Sequence, residues 1–314
     1  MTFALVLVAL ALAFPWAAVA AARRLATVLP PRDACWALTA ATLLMAGGTI
    51  AALAGLLHVP FLASLEQVPL HRVLEVWPVA VPAACTAALV MAVQAVLLFR
   101  RGFEHRVVLE RAWRAAAEGT GHGDLLVVPG DDVDAFALPG YRGRSSRIVV
   151  TVGMLRALKP RERAVLLAHE RAHLSGRHHL LFAVVDLSAT VHPALRSLRG
   201  LLGFHLERWA DEVAAATVGD RRVAAAAIAR AALAGSQNRN TGGGYPMLSV
   251  TSGPVPQRVE ALLLPEPVAP KGGARRIGAL GLAVTVAFPA LAAVALAYGL
   301  HEYVEYAAIA VRGS

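Results

Sequence analysis

The chain is poor in charge and in cysteine. Only 16% of its 314 residues are Asp, Glu, Lys or Arg, where a soluble domain averages about 25%. The two cysteines, Cys35 and Cys85, both fall inside apolar runs. That excludes a disulfide framework and a thiolate zinc cluster, and leaves them as small apolar residues. Aromatics make up 6% of the chain and are not interleaved with a basic patch. The formal net charge of +9 is therefore read as arginines flanking apolar runs, and direct nucleic-acid binding is not expected. No internal repeat is found. The extreme N-terminus lacks the basic start of a signal peptide, although Ala18–Ala20 resembles a cleavage site.

What is abundant is apolar sequence, 57% of the residues. Four runs are long enough to cross a bilayer core of about 30 Å, which takes roughly 20 helical residues. They cover about 3–22, 34–57, 76–99 and 277–300. Arg23, Arg24 and Arg32 lie between the first two, Arg100, Arg101 and Arg106 follow the third, and Lys271, Arg275 and Arg276 precede the fourth. The loop after the second run carries only Arg72, beside Glu66 and Glu75. Basic residues mark the cytoplasmic side, so the expectation is a multi-pass protein of the cell membrane with both termini outside. Residues 1–99 form three spans, 100–276 a cytoplasmic domain, 277–300 the fourth span and 301–314 a short external tail. The Ala- and Arg-rich composition suggests a bacterial source.

Within 100–276 the pattern predicts a helix over Phe103–Glu118 and three short strands, Leu125–Gly130, Ala135–Gly140 and Arg147–Gly153, making one small sheet. Pro160 opens a helix running to about Leu174. The apolar stretch Leu180–Leu195 contains Asp186 and Pro193, which argue against a full span. Further helices follow over Ser197–Val218 and between Asp220 and Gly235, then a loop, Gly235–Pro246. The fold class is thus a mainly α membrane protein carrying a cytoplasmic α+β domain.

The chemistry is concentrated in the stretch AHERAHLSGRHH, Ala168–His179. His169 and His173 are four apart, so on a helix both imidazoles point one way and can grip Zn²⁺ while leaving coordination open. Glu170 is placed as general base. A catalytic zinc takes three protein ligands, and the third has several candidates. His179 completes the longer H-E-x-x-H-x-x-G-x-x-H pattern. Glu207 pairs with Asp211 at the same four-residue spacing; Glu207 would bind metal and Asp211 would accept a hydrogen bond from a ligand histidine's other ring nitrogen. The two matched spacings favour Glu207. His205, two residues away, points off that face. His178, Arg258 and Tyr245 are candidates for stabilising a developing oxyanion.

The segment from Phe136 through the histidine motif to ERWADE, ending at Asp211 and Glu212, resembles the membrane-embedded zinc peptidases of the BlaR/MecR antirepressor family and the related HtpX-like peptidases. The resemblance implies a gluzincin-like peptidase with one Zn²⁺ per chain, held by His169, His173 and Glu207, with Glu170 catalytic and Asp211 in support. PVPQRVEALL, Pro254–Leu263, resembles the closing segment of such domains and brings in Arg258. A BlaI-like repressor would be the family-consistent protein substrate. The alternatives are HtpX-like quality control of membrane proteins and a non-catalytic zinc-binding sensor. One departure stands out: no S-x-x-K motif of a penicillin-binding sensor follows the fourth run, so β-lactam sensing is not expected.

Overall fold

The computed structural model describes residues 2–65, 78–239 and 254–266, with positions 69, 71, 74, 75, 298, 302 and 309. The expected fourth span and most of the Gly235–Pro246 loop lie outside the described residues.

Helix α1 (Thr2–Val28) turns directly into α2 (Pro31–Leu65), where Pro31 and Asp33 occupy the first turn as a helix start favours. Helix α3 runs unbroken from Ala80 to Ala115 and ends in a 3-10 turn, Ala116–Glu118. The expected span 76–99 and the separate helix 103–118 are therefore one rod about 54 Å long, well beyond a bilayer core of about 30 Å. Neither the arginines at 100–101 nor Gly102 removes a backbone hydrogen bond, so nothing stops the helix there. Leu89, Val93, Val96 and Phe99 on its first half are exposed. By length and composition, two described segments suffice to cross a membrane, Pro31–Leu57 and Ala80–Glu118.

A three-stranded sheet follows: β1 (Leu125–Val128), β2 (Ala135–Leu138) and β3 (Arg147–Thr151). The order is β1-β3-β2, with β1 parallel to β3 and β2 antiparallel to it. The third strand in sequence is thus the central one and the second is an edge. A short helix, α4 (Val152–Ala157), starts where the Thr151 hydroxyl accepts the Met154 N–H at 3.2 Å. Then come α5 (Pro160–Ser175), α6 (His178–Val191), a 3-10 turn at Pro193–Leu195, α7 (Arg196–Val218), α8 (Arg221–Arg239) and α9 (Val255–Leu263). Helix α8 passes through Gly235 instead of stopping there. At 14 residues α6 is too short to span.

The N-terminal helices do not stand apart from the rest. Leu38 and Met45 of α2 share one core with Val185 of α6 and Leu198, Leu202 and Leu206 of α7. Burying a leucine fully contributes about 2 kcal/mol, so this shared core fixes α7 against α1 and α2. Gln94 of α3 donates to the Val191 carbonyl at 2.9 Å, tying α3 to the end of α6. The α1–α2 turn sits against α7: Arg23 donates to the Ser197 carbonyl at 3.4 Å and the Arg32 guanidinium lies 5.7 Å over the Trp209 ring.

Candidate metal centre

Helix α5 presents His169, Glu170 and His173, and α7, packed across it, presents Glu207 and Asp211. Four-residue spacing on each helix aims both pairs into one seam. The Nε2 atoms of His169 and His173 are 3.1 Å apart. Glu207 Oε2 lies 3.5 Å from the first and Oε1 3.4 Å from the second. Donor atoms of these three side chains all fall within 4.8 Å of one another, as the ligands of one metal ion must. Two imidazoles and a carboxylate are a donor set suited to zinc. All of this lies in a buried seam, where Glu170 and Glu207 are each less than a tenth exposed.

The back of the cluster is held by close charged contacts. His169 Nδ1 is 3.0 Å from Asp211 Oδ1, which turns its Nε2 inward. Asp211 in turn takes a bidentate pair from Arg258 of α9, Nε and Nη2 both at 2.7 Å, and Arg258 Nη1 reaches Glu207 at 2.8 Å. Each nitrogen of Arg258 therefore faces a carboxylate. His173 is held differently. Its Nδ1 lies 2.9 Å from Nδ1 of His178, a buried ring whose centroid sits 4.4 Å from that of Trp209.

His178, a candidate oxyanion stabiliser in the sequence, lies instead against a ligand candidate; that contact was not legible, because a five-residue spacing across a helix break carries no periodicity. The break itself is built for it. Arg177 adopts a left-handed φ of 50°, and a Cβ on Gly176 would fall 2.4 Å from His178 Nε2. Glycine leaves room there for the close approach of that ring. His179 stands exposed at the cavity wall and His205, although buried, stays out of the cluster. Tyr245 lies outside the described residues.

The charges are strongly coupled. Burial pushes the Glu170 carboxyl up to about 7; His169 opposes this, Glu207 and Asp134 add to it, and backbone hydrogen bonding from Ala137 draws it back. Burial also acts on Glu207, but His173, His169 and Arg258 overcome it and hold that carboxylate ionised far below its usual range. Burial lowers His173 to about 4, so it presents a neutral imidazole. His169 is pushed up to about 10, because Asp211 and Glu207 outweigh its burial; a metal at Nε2 would take the place of that proton.

Two cavities meet at this cluster. One of about 320 Å³ is walled by aliphatic side chains, among them Val133, Met154, Val165 and Ile228. The other, about 790 Å³, runs from His169 and His173 along Phe136 and Leu109 to Arg101 and Arg199. Ala135, His169, Glu170 and Glu207 border both. Strand β2 lies along this junction with one edge unpaired in the sheet. Strand β3 has β1 on one side and β2 on the other, so the sheet edge that faces the cluster belongs to β2, Ala135–Leu138.

No solved structure matches the chain. Residues 103–195 match the model of peptidase family M48, a stretch that includes β2, the H-E-x-x-H motif and His178 but ends before Glu207. That match, together with the His-His-Glu cluster, supports a zinc metallopeptidase of the gluzincin type.

Proposed function

We propose that this chain is an integral membrane zinc endopeptidase that cleaves protein segments at the cytoplasmic membrane surface. The observation that carries the reading is the triangle of His169, His173 and Glu207, with Glu170 buried beside it where two cavities meet under an unpaired strand edge. His169, His173 and Glu207 would hold the metal. Bound zinc supplies a Lewis acid that polarises a peptide carbonyl and lowers the pKa of water. The chain's own residues do the rest. The β2 edge holds an extended peptide by main-chain hydrogen bonds, as strand addition does. Glu170, with a pKa raised towards neutrality, takes a proton from the attacking water and passes it to the leaving nitrogen. Asp211 and His178 keep the two imidazoles in the orientation that sends Nε2 inward.

A membrane setting is supported by the two candidate spans. The finer topology, four spans with both termini outside and the peptidase in the cytoplasm, rests on the arginine distribution. Regulatory cleavage of a BlaI-like repressor and turnover of membrane proteins use the same chemistry. The long cavity is walled by the part of α3 that extends past its apolar half, which favours a substrate segment near the bilayer. Purified wild type and Glu170→Gln, compared for zinc content and for cleavage of a casein-type substrate, test the reading. Equal zinc with cleavage lost in the variant is the expected result; cleavage surviving in Glu170→Gln would sink it.

A further inference from the structure

The larger cavity ends in a basic cluster that the catalytic reading leaves without a role. Asp186 of α6 is fully buried. It is gripped by Arg101 at 2.6 and 3.2 Å, by His105 at 2.7 Å and by Arg199. Arg101 is further occupied by Glu104 at 2.7 Å. Both guanidinium partners of Asp186 remain about one-third exposed, at 35% and 34%. One turn along α3, the exposed Arg106 lines the same cavity and has no ion pair among the described residues. The fixed carboxylates are thus consumed by Arg101 and Arg199, and the cavity mouth keeps surplus positive charge. The wall between this mouth and the metal cluster is apolar, with Leu109 and Phe136.

We propose that the Arg106 and Arg199 end of this cavity is a specificity site for an acidic side chain or terminal carboxylate of the peptide substrate, separated from the scissile bond by apolar residues. It rests on the endopeptidase reading and adds the substrate class: peptides with an apolar stretch beside the cleaved bond and negative charge beyond it. Arg199 is pinned by Asp186 and therefore pre-oriented, which reduces the entropy lost in pairing. Arg106 supplies the uncompensated charge. A charge-assisted contact of this kind discriminates by about tenfold.

The test is a binding measurement on the Glu170→Gln protein in uncharged detergent, so that it does not depend on turnover. Short fluorescein-labelled Ala/Leu peptides carry Glu, Gln or Lys scanned along each end. The expected result is about tenfold tighter binding of a Glu peptide than of its Lys counterpart, with that gap fading at high salt. Arg106→Glu should reverse the preference and Arg106→Lys should restore it. Arg100→Glu, exposed on the same helix but outside the cavity, should leave it intact. Equal binding of Glu and Lys peptides, or an identical effect of Arg100→Glu and Arg106→Glu, would overturn the proposal. So would displacement of the Glu peptide by phosphatidylglycerol added to the micelles, which would assign the cluster to lipid headgroups. Charge-selective binding without cleavage by the wild type would instead remove the endopeptidase reading and leave the anion site standing.

Discussion

Two buried carboxylate clusters lie at the two ends of one cavity, and they are balanced differently. At the end between α3 and α6 a single carboxylate, Asp186, faces Arg101, Arg199 and His105. At the other end three carboxylates, Glu170, Glu207 and Asp211, face one permanent cation, Arg258. In the first, the carboxylate is fully answered by the chain and positive charge is left over. With both histidines neutral and Glu170 ionised, the second carries two negative charges in excess, which a divalent cation would balance. Buried charge is costly unless it is compensated; a divalent cation would compensate the second cluster, whereas Asp186 ties α3, α6 and α7 together.

Removing a ligand should separate the two clusters most sharply. Glu207→Ala should reduce bound zinc by more than about a hundredfold at fixed free metal, since a ligand and not an outer partner is lost. His179→Ala and His205→Ala should bind zinc as the wild type does. Metal analysis after dialysis reads both, and loss of zinc in His179→Ala alone would reassign the third ligand. Asp186→Asn should do the reverse. Leaving two guanidinium groups, each about one-third exposed, without their carboxylate costs about 2 kcal/mol of stability, seen as a lower melting temperature in detergent with zinc stoichiometry unchanged. Asp211→Asn falls between, weakening zinc about tenfold to a hundredfold through the orientation of His169.

The contrast also shows what could be read from the chain. The four-residue spacings of His169 and His173 and of Glu207 and Asp211 are local, so their shared faces were legible, as were three strands and the start of α5 at Pro160. What joins them is not local. The order β1-β3-β2 depends on strand pairing over tens of residues, so periodicity did not show that Ala135–Leu138 lies at an edge of the sheet. The partners of Asp186 come from α3 and α7, more than eighty residues away in the case of His105 and Arg101, and periodicity is blind to them. Arg258 was reached through family resemblance; its bidentate grip on Asp211 has no sequence signature. His178 was hidden by the helix break, although a glycine followed by a left-handed residue is the kind of turn that brings a side chain back over the preceding helix.

Acid sharpens the difference further. Burial raises Asp186, but His105, Arg101 and Arg199 prevail and lower it to about 2. A carboxylate with a depressed folded pKa contributes its stability above the unfolded value near 3.9, and that contribution disappears as pH falls through the folded one. The expected loss is about 2 kcal/mol between roughly pH 4 and pH 2. Thermal unfolding in detergent across this window should show that step in the wild type and lack it in Asp186→Asn; an identical acid profile in the two proteins would mean that Asp186 is not clamped in solution.

The smallest effect tests how finely the open cluster is held. Gly176 has an ordinary helical φ of −77°, so alanine is allowed by the backbone, but its Cβ would meet the His178 ring at 2.4 Å. His178 is wedged between His173 and Trp209 and has little room to yield. Gly176→Ala should therefore cost about 1 kcal/mol of stability and loosen the Nδ1 contact that orients His173. Zinc affinity should fall severalfold, less than in Asp211→Asn because His173 keeps its place on α5. His178→Gln, which can still offer an acceptor or a donor to His173 Nδ1, should weaken zinc less than His178→Ala. If Gly176→Ala lowers the melting temperature but leaves zinc affinity untouched, His178 serves packing against Trp209 and not the aim of the metal ligand.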